Sequence, residues 1–395
     1  MSFEASLYIH IPFCASFCDY CDFYSINKIS VNDDFIDSFL SALVCDIKHQ
    51  IDFFKIERIP SAYIGGGTPS VLGEKIRFLF DALKTVPVFM PQEFTIEANP
   101  ESLTEGFIDA CLKGGVNRLS LGVQTFHEPS RTAINRAVNR TGSCAMLEES
   151  LALASRFFSG ARTDNVLSAD LITGLPFQNE EIILEDIKRL LAYEPDHVSL
   201  YSLSVESGTP LEEKLKTKKV ALPDRDRADS LWLLGRDALL KAGFEHYEVS
   251  NFCFNKNRCL HNMRYWQMES WMGAGPAASG TIVDERTGSA KRYTFAHNTE
   301  AYVKEQLADN RERLSLNNSR IVEHEEPDRD AFLKECLLMG FRCKEGHDPK
   351  IFYSRFGITV DDCIPKTLAR WKDKDKILFL NRFLSEAFNE LEAHG

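Results

Sequence analysis

Cys14, Cys18 and Cys21 stand at the spacing C-x3-C-x2-C, directly after the apolar, β-prone run Leu7-Tyr8-Ile9-His10-Ile11-Pro12-Phe13. Three thiolates on so tight a loop can hold three irons of a four-iron cluster and leave the fourth open to a small molecule. The competing reading is a zinc site completed by His10 or Asp22. Zinc sites usually pair two C-x2-C units far apart in sequence, and three cysteines within eight residues suit that pattern poorly.

Other residues with chemical capacity follow at intervals. Ile64-Gly65-Gly66-Gly67-Thr68-Pro69 is a glycine run that lets a backbone approach a ligand closely, although a tight turn is its default meaning. Glu97, in Thr95-Ile96-Glu97-Ala98-Asn99-Pro100, ends a β-prone run and alone reads as a solvated carboxylate. Gln124 ends Leu119-Ser120-Leu121-Gly122-Val123-Gln124. Arg136 follows on a helical stretch, where a surface charge is the ordinary expectation. Asp170 is an acid flanked by Leu167, Leu171 and Ile172, and a buried acid needs partners.

These residues need a frame to bring them together. Strands are predicted at Leu7–His10, Ala62–Ile64, Phe94–Glu97, Arg118–Leu121, Ser168–Ile172 and His197–Tyr201. Helical periodicity fills the gaps. In Asp34–Ile51, Phe35, Ile36, Phe39, Leu40, Leu43 and Ile47 share one face, with Asn32 or Asp33 as the cap. Thr104–Leu112 closes on Gly114-Gly115, and Glu180–Leu191 is a third helix. Such alternation predicts an α/β fold with a parallel sheet and right-handed crossovers, either barrel-like or open and doubly wound. In both, ligands bind at the C-terminal ends of the strands, where the cysteines, glycines, Glu97 and Gln124 all fall. The alternation fades after about residue 205. Ala228–Leu240 is an amphipathic helix, Gly243–Ser279 is aromatic- and glycine-rich without a clear period, and the chain from Arg292 onward reads as mostly helical with a strand-like Ile377–Leu380.

Composition narrows the function classes. Of 395 residues 44% are hydrophobic, enough for a substantial core, and the net charge of −12 argues against non-specific binding to nucleic acid or anionic membrane. No apolar run reaches the roughly 18 residues that span a bilayer, and Met1–Ser6 holds no basic residue, so a cytoplasmic protein without an integral membrane segment is expected. The remaining eight of the 11 cysteines are scattered and read as buried hydrophobes rather than a disulfide framework.

Taken together, "LYIHIPFCASFCDYCDF", "YIGGGTPS", "TIEANP", "RLSLGVQTF", "DLITGLPFQ", "HVSLYSLSVESGTPL", "HYEVSNF" and "CLHNMRYW" resemble the coproporphyrinogen dehydrogenase-like branch of the radical S-adenosylmethionine (SAM) superfamily, over residues 7–280. The resemblance implies a partial (β/α)6 barrel with a smaller, mostly helical C-terminal domain. The expected division is 1–205 for the barrel, 206–290 for a connecting aromatic- and glycine-rich segment, and 291–395 for the C-terminal domain. It implies a [4Fe-4S] cluster on Cys14, Cys18 and Cys21. It also implies SAM contacts at Tyr8, Tyr20, Gly66, Gly67, Thr68, Glu97, Gln124, Arg136 and Asp170.

Two kinds of protein share this branch. The dehydrogenases carry a fourth cysteine two residues after the third, and a long N-terminal arm. Here that position is Phe23, and seven residues precede Tyr8. The HemW-type heme chaperones instead have C-x3-C-x2-C-x-F and an H-N-x-x-Y-W motif linked to heme, matched here by His261-Asn262-Met263-Arg264-Tyr265-Trp266. Imidazole is a common axial ligand of heme iron, so the resemblance implies His261 as the heme ligand, with Cys253, Cys259 and His246 as secondary candidates. The expectation is a heme-binding protein that passes heme to a hemoprotein acceptor, with an electron donor for the cluster. The alternative is an oxygen-independent coproporphyrinogen III dehydrogenase. The chain departs from relatives at Ala278, where many have histidine, and at Asn135-Arg136-Ala137-Val138, where many have a glycine before the arginine and a histidine after it.

Overall fold

Each β-prone run forms a strand. The strands are β1 (Ser6–Ile11), β2 (Ser61–Gly66), β3 (Glu93–Ala98), β4 (Arg118–Gln124), β5 (Val166–Thr173) and β6 (His197–Ser202), all parallel and paired in sequence order. This computed structural model describes residues 3–136, 143–308, 321–372 and 374–394. Ala137 and Val138, part of the departure noted above, lie outside the described residues.

The period of two along each strand separates two environments. Leu7, Ile9, Ala62, Ile64, Phe94, Ile96, Leu119, Leu121, Leu167, Ala169, Val198 and Leu200 face outward into one continuous apolar core. The crossover helices cover that face. The alternate positions turn inward and are polar: Ser6, Ser61, Tyr63, Glu93, Thr95, Glu97, Arg118, Ser120, Ser168, Asp170 and His197. The barrel interior is therefore a polar column, and the apolar driving force lies outside it.

The helices begin and end where local chemistry demands. In α1 (Asp33–Phe54), Asn32 caps by accepting from the Phe35 N–H at 2.9 Å, and Ile36, Phe39, Leu40, Leu43 and Ile47 are buried against the sheet. The next crossovers are α2 (Ile76–Lys84) and α3 (Glu105–Gly114), the latter stopped by Gly115 at φ 88°, a conformation that favours glycine. Then come α4 (Glu128–Ala133), α5 (Ser143–Phe158), α6 (Glu180–Leu191), α7 (Pro210–Lys216) and α8 (Arg225–Lys241).

Beyond α8 the structure departs from the sequence reading. The segment without a clear period contains β7 (Glu245–His246), β8 (Asn251–Cys253), the short helix α9 (Leu260–Trp266) and β9 (Trp271–Ala274). Strand β9 pairs parallel with β1, as a seventh parallel strand on the other side of the barrel seam. From there β10 (Ser279–Asp284), β11 (Ser289–Phe295) and β12 (Ile321–Glu325) extend one 12-stranded sheet. Helices α10 (Thr299–Leu307) and α11 (Arg329–Gly340) lie among these strands and after them. The region after Arg292 thus holds more strand than expected, and Ile377–Leu380 is not strand but the turn leading into a helix over Leu380–His394. Short strands with glycine and alternating polarity, such as Trp271-Met272-Gly273-Ala274, carry too few residues for a periodic signal.

A buried polar pin ties this extension to the barrel. Gln50 on α1 donates to Asp46 at 3.0 Å and to the Gly273 carbonyl at 2.8 Å, while the Tyr302 hydroxyl donates to Asp46 at 2.6 Å. A second apolar core gathers Phe332, Cys336, Leu337, Phe352, Phe356, Trp371 and Phe383, and draws in Met268, Val283 and Ala290. No helix among the described residues is long and apolar enough to cross a membrane.

Candidate functional site

A cavity of about 680 Å³ opens at the C-terminal rim of the barrel. Its wall includes Cys14, Cys18, Tyr20, Cys21, Gly66, Gly67, Thr68, Glu97, Gln124, Arg136 and Asp170. One rim thus collects most of the residues singled out in the sequence. Two are elsewhere. Tyr8 lies deeper, its hydroxyl donating to His10 Nδ1 at 3.2 Å, and His261 is not among the lining residues.

The cysteines sit on the loop after β1, linked through a chain of side chains. Cys14 Sγ is 3.6 Å from the Thr68 hydroxyl, which accepts from Asn99 Nδ2 at 3.0 Å. Arg136 donates to Asn99 Oδ1 at 2.6 Å, to the Gly122 carbonyl at 2.9 Å and to Cys18 Sγ at 3.3 Å. Arg136 is therefore no surface charge. It is buried, and its Nε carries no hydrogen bond. Asn99 was not singled out, although its place directly after β3 was the available signal.

Burial pushes the Cys14 thiol up and the Cys21 thiol to about 11, so metal binding here would displace protons. His10, one residue that could have completed a zinc site, has both ring nitrogens committed: Nε2 donates to the Tyr24 carbonyl at 2.9 Å and Nδ1 accepts from Tyr8. Among the described residues no three His, Cys, Asp or Glu side chains close on a single ion. Three thiols around one open cavity fit a multi-iron cluster instead, in which each thiolate takes its own iron.

The glycines are needed for space. A Cβ on Gly65 would lie 2.9 Å from the Glu97 carboxyl carbon, and one on Gly66 2.5 Å from the His10 ring. On Gly67 it would meet the Phe13 carbonyl oxygen at 2.7 Å and that of Ile11 at 2.9 Å. Gly67→Ala is expected to push the cysteine loop off β2 and cost about 1–3 kcal/mol, the usual range for overpacking against rigid backbone. A chemical denaturation midpoint equal to that of the natural chain would contradict this.

Gln124 occupies φ 66°, beside a register shift between Gly122 and Gln124 in the β4–β5 pairing. Such a strained residue at a strand end is characteristic of a site that must aim a side chain. Across the rim, Asp170 accepts from Ser120 at 3.3 Å. Glu97 accepts from the Tyr63 hydroxyl at 2.8 Å and the Gly66 N–H at 3.3 Å. Burial raises the Glu97 carboxyl to about 7, against the Tyr63 hydroxyl that favours its charged form. Burial likewise raises Asp170 to about 6.

A carboxyl whose pKa is higher folded than unfolded keeps a proton that the unfolded chain has released. Its contribution to stability is fully present below the unfolded value and is lost as pH rises through the folded one. Glu97→Gln is thus expected to flatten the fall in melting temperature of the cofactor-free protein between about pH 5 and about pH 8. An unchanged slope would show that Glu97 does not titrate in that window.

Residues 8–190 match the radical SAM superfamily. The heme chaperone HemW of Lactococcus lactis is 33% identical over 314 residues, covering 78% of this chain and 79% of that protein. The chain belongs to the HemW family of the radical SAM superfamily. The mouse radical S-adenosyl methionine domain-containing protein 1, mitochondrial, is 35% identical over 74% of this chain, which spans 64% of that protein's length. Among solved structures, the coproporphyrinogen III oxidase HemN of Escherichia coli, a radical SAM enzyme, superposes with a TM-score of 0.74 at 20% identity, over 98% of this chain and 90% of that one. The α/β radical SAM fold expected from the sequence is the fold observed. Membership in the superfamily implies a [4Fe-4S] cluster and SAM, and the rim meets both on chemistry: three grouped thiols, a glycine-lined wall and a buried arginine.

The residue expected to meet heme lies away from this rim. His261 is 1% exposed at the opposite end of the barrel, with both ring nitrogens hydrogen-bonded, to Ser61 Oγ at 2.9 Å and the Tyr265 hydroxyl at 2.9 Å. It does not offer a free nitrogen to heme iron. Cys253 and Cys259 are buried as well, and burial raises the Cys259 thiol above its ordinary range. His246 is buried and stacked on Phe252 at 4.4 Å.

Proposed function

We propose that this protein is a heme chaperone, which binds heme and passes it to a hemoprotein acceptor in the cytoplasm. The reading is carried by Phe23. This residue stands in the cavity wall, 66% exposed, where the dehydrogenase relatives place a fourth thiol. The relationship to proteins named heme chaperones supports the same choice.

In this reading Cys14, Cys18 and Cys21 hold the cluster, and an electron donor serves it. The cluster, when bound, supplies a reducing electron and an open iron for the amino and carboxylate groups of SAM. The chain's own residues do the rest. Arg136 brings a buried positive charge to the cavity wall, Gly66, Gly67 and Thr68 let the backbone approach, and Glu97, Gln124 and Asp170 accept or donate at the far wall. Tyr20 packs beside Ile172 and helps exclude water from that wall.

Heme-loaded protein is expected to transfer heme to an apo-hemoprotein, followed by the acceptor's Soret band. Given coproporphyrinogen III, SAM and reductant without oxygen, it is expected to form no protoporphyrinogen. Formation of protoporphyrinogen would establish the alternative, an oxygen-independent coproporphyrinogen III dehydrogenase on this same fold.

A further inference from the structure

The motif that contains His261 is divided between two environments. Arg264 donates to Ser6 Oγ at 2.8 Å, while Met263 Sδ lies 4.0 Å from Cys343 Sγ. His261 and Tyr265 turn instead into the polar column of the barrel, near the starts of its strands.

There the hydrogen bonds assign the imidazole. Ser61 donates its one proton to Ser6 Oγ at 2.8 Å, so toward His261 it accepts, and Nδ1 carries the proton. Nε2 then accepts from the Tyr265 hydroxyl. Donor and lone pair are both used. Burial, followed by the neighbouring Arg264 charge, lowers this imidazole to about 3 and keeps it neutral.

The ring also has a neighbour that reaches the rim. The Tyr63 ring packs 5.3 Å from the His261 ring on one side and 6.3 Å from the Tyr8 ring on the other. Ser61, Tyr63 and Gly65 are successive inward positions of β2. The bond at Ser61 and the ring contact at Tyr63 therefore hold the same strand face. The Tyr63 hydroxyl is the shorter of the two hydrogen bonds on Glu97, and Gly65 leaves the space that the Glu97 carboxyl fills.

We infer that His261 is a positioning residue of the SAM site, acting on Glu97 through Tyr63, and is not a ligand of heme iron. This rests on the reading of the rim as a SAM site given above. It assigns the histidine to the far support of the cofactor wall and requires heme to find its contacts elsewhere on the protein.

The test uses the full chain, reconstituted without oxygen, with SAM and hemin as probes. His261→Gln keeps a polar side chain of related length. Tyr63→Phe keeps the ring and deletes only the bond to Glu97. Each variant is expected to bind SAM roughly tenfold more weakly, the size of one hydrogen bond to a charged group. The double variant is expected to be no weaker than the weaker single one. Neither variant is expected to change the Soret maximum or the electron paramagnetic signature of bound heme. SAM affinity equal to that of the natural chain in both variants would overturn the positioning role. A changed axial-ligand signature in His261→Gln would overturn the claim about heme. If His261→Gln does not fold, Tyr63→Phe still decides the positioning role. If the natural chain binds no heme, the chaperone reading fails, while the SAM measurements still decide the role of His261.

Discussion

Replacing any one of Cys14, Cys18 and Cys21 with alanine is expected to leave the protein unable to retain a four-iron cluster after anaerobic reconstitution. Each thiolate serves its own iron, so the loss of one cannot be shared by the other two. Nor does the structure supply a substitute. Asp22 is exposed, His10 is committed on both nitrogens, and Phe23 stands where another thiol would be needed. The loop itself is expected to survive. It is held by the Asn135 side chain on the Phe17 carbonyl at 2.8 Å, by the Leu211 N–H on the Asp19 carbonyl at 2.8 Å, and by an ion pair between Lys214 and Asp19. Circular dichroism should therefore be preserved while iron and sulfide analysis falls to background. A single-cysteine variant that keeps a full complement of four irons would require a ligand the structure does not place there.

Glu93→Ala is expected to have the largest effect on stability. Glu93 opens β3 at the floor of the barrel, and its carboxylate accepts from the backbone N–H groups of Leu260 and His261, each at 2.9 Å. It also faces the guanidinium of Arg118 at 3.6 Å, with both side chains nearly enclosed. Truncation leaves Arg118 as a buried cation without a carboxylate and strips the start of α9 of its acceptor. Breaking such a pair from one side costs about 3–5 kcal/mol. Glu93→Gln keeps the shape and an acceptor oxygen, and is expected to cost less, about 1–3 kcal/mol. Urea midpoints measure both. A loss below about 1 kcal/mol in Glu93→Ala would mean that Arg118 is satisfied without it.

The parallel barrel was legible because its strands are apolar on one face and its crossover helices are strongly periodic. The rim was legible because the residues that build it follow strand ends, as in Glu97, Gln124 and the glycine run. Less legible were residues whose meaning depends on the inward face. Tyr63 and Ser61 sit in a run that reads simply as β-prone, and only the placement of α9 shows what they touch. The surroundings of His261 were hidden for the same reason. A histidine among aromatics has the composition of a heme ligand and equally that of a buried hydrogen-bonded side chain, and burial decides between them. The parallel strand β9 was missed because four residues carry no usable period.

A radical SAM barrel that handles heme, rather than oxidising a porphyrinogen, must bind hemin. The most direct measurement is a hemin titration of the anaerobically reconstituted protein, with and without SAM, followed by the Soret band. Saturable binding with a defined stoichiometry is expected. Absence of saturable binding in protein that carries a full cluster and binds SAM would contradict it.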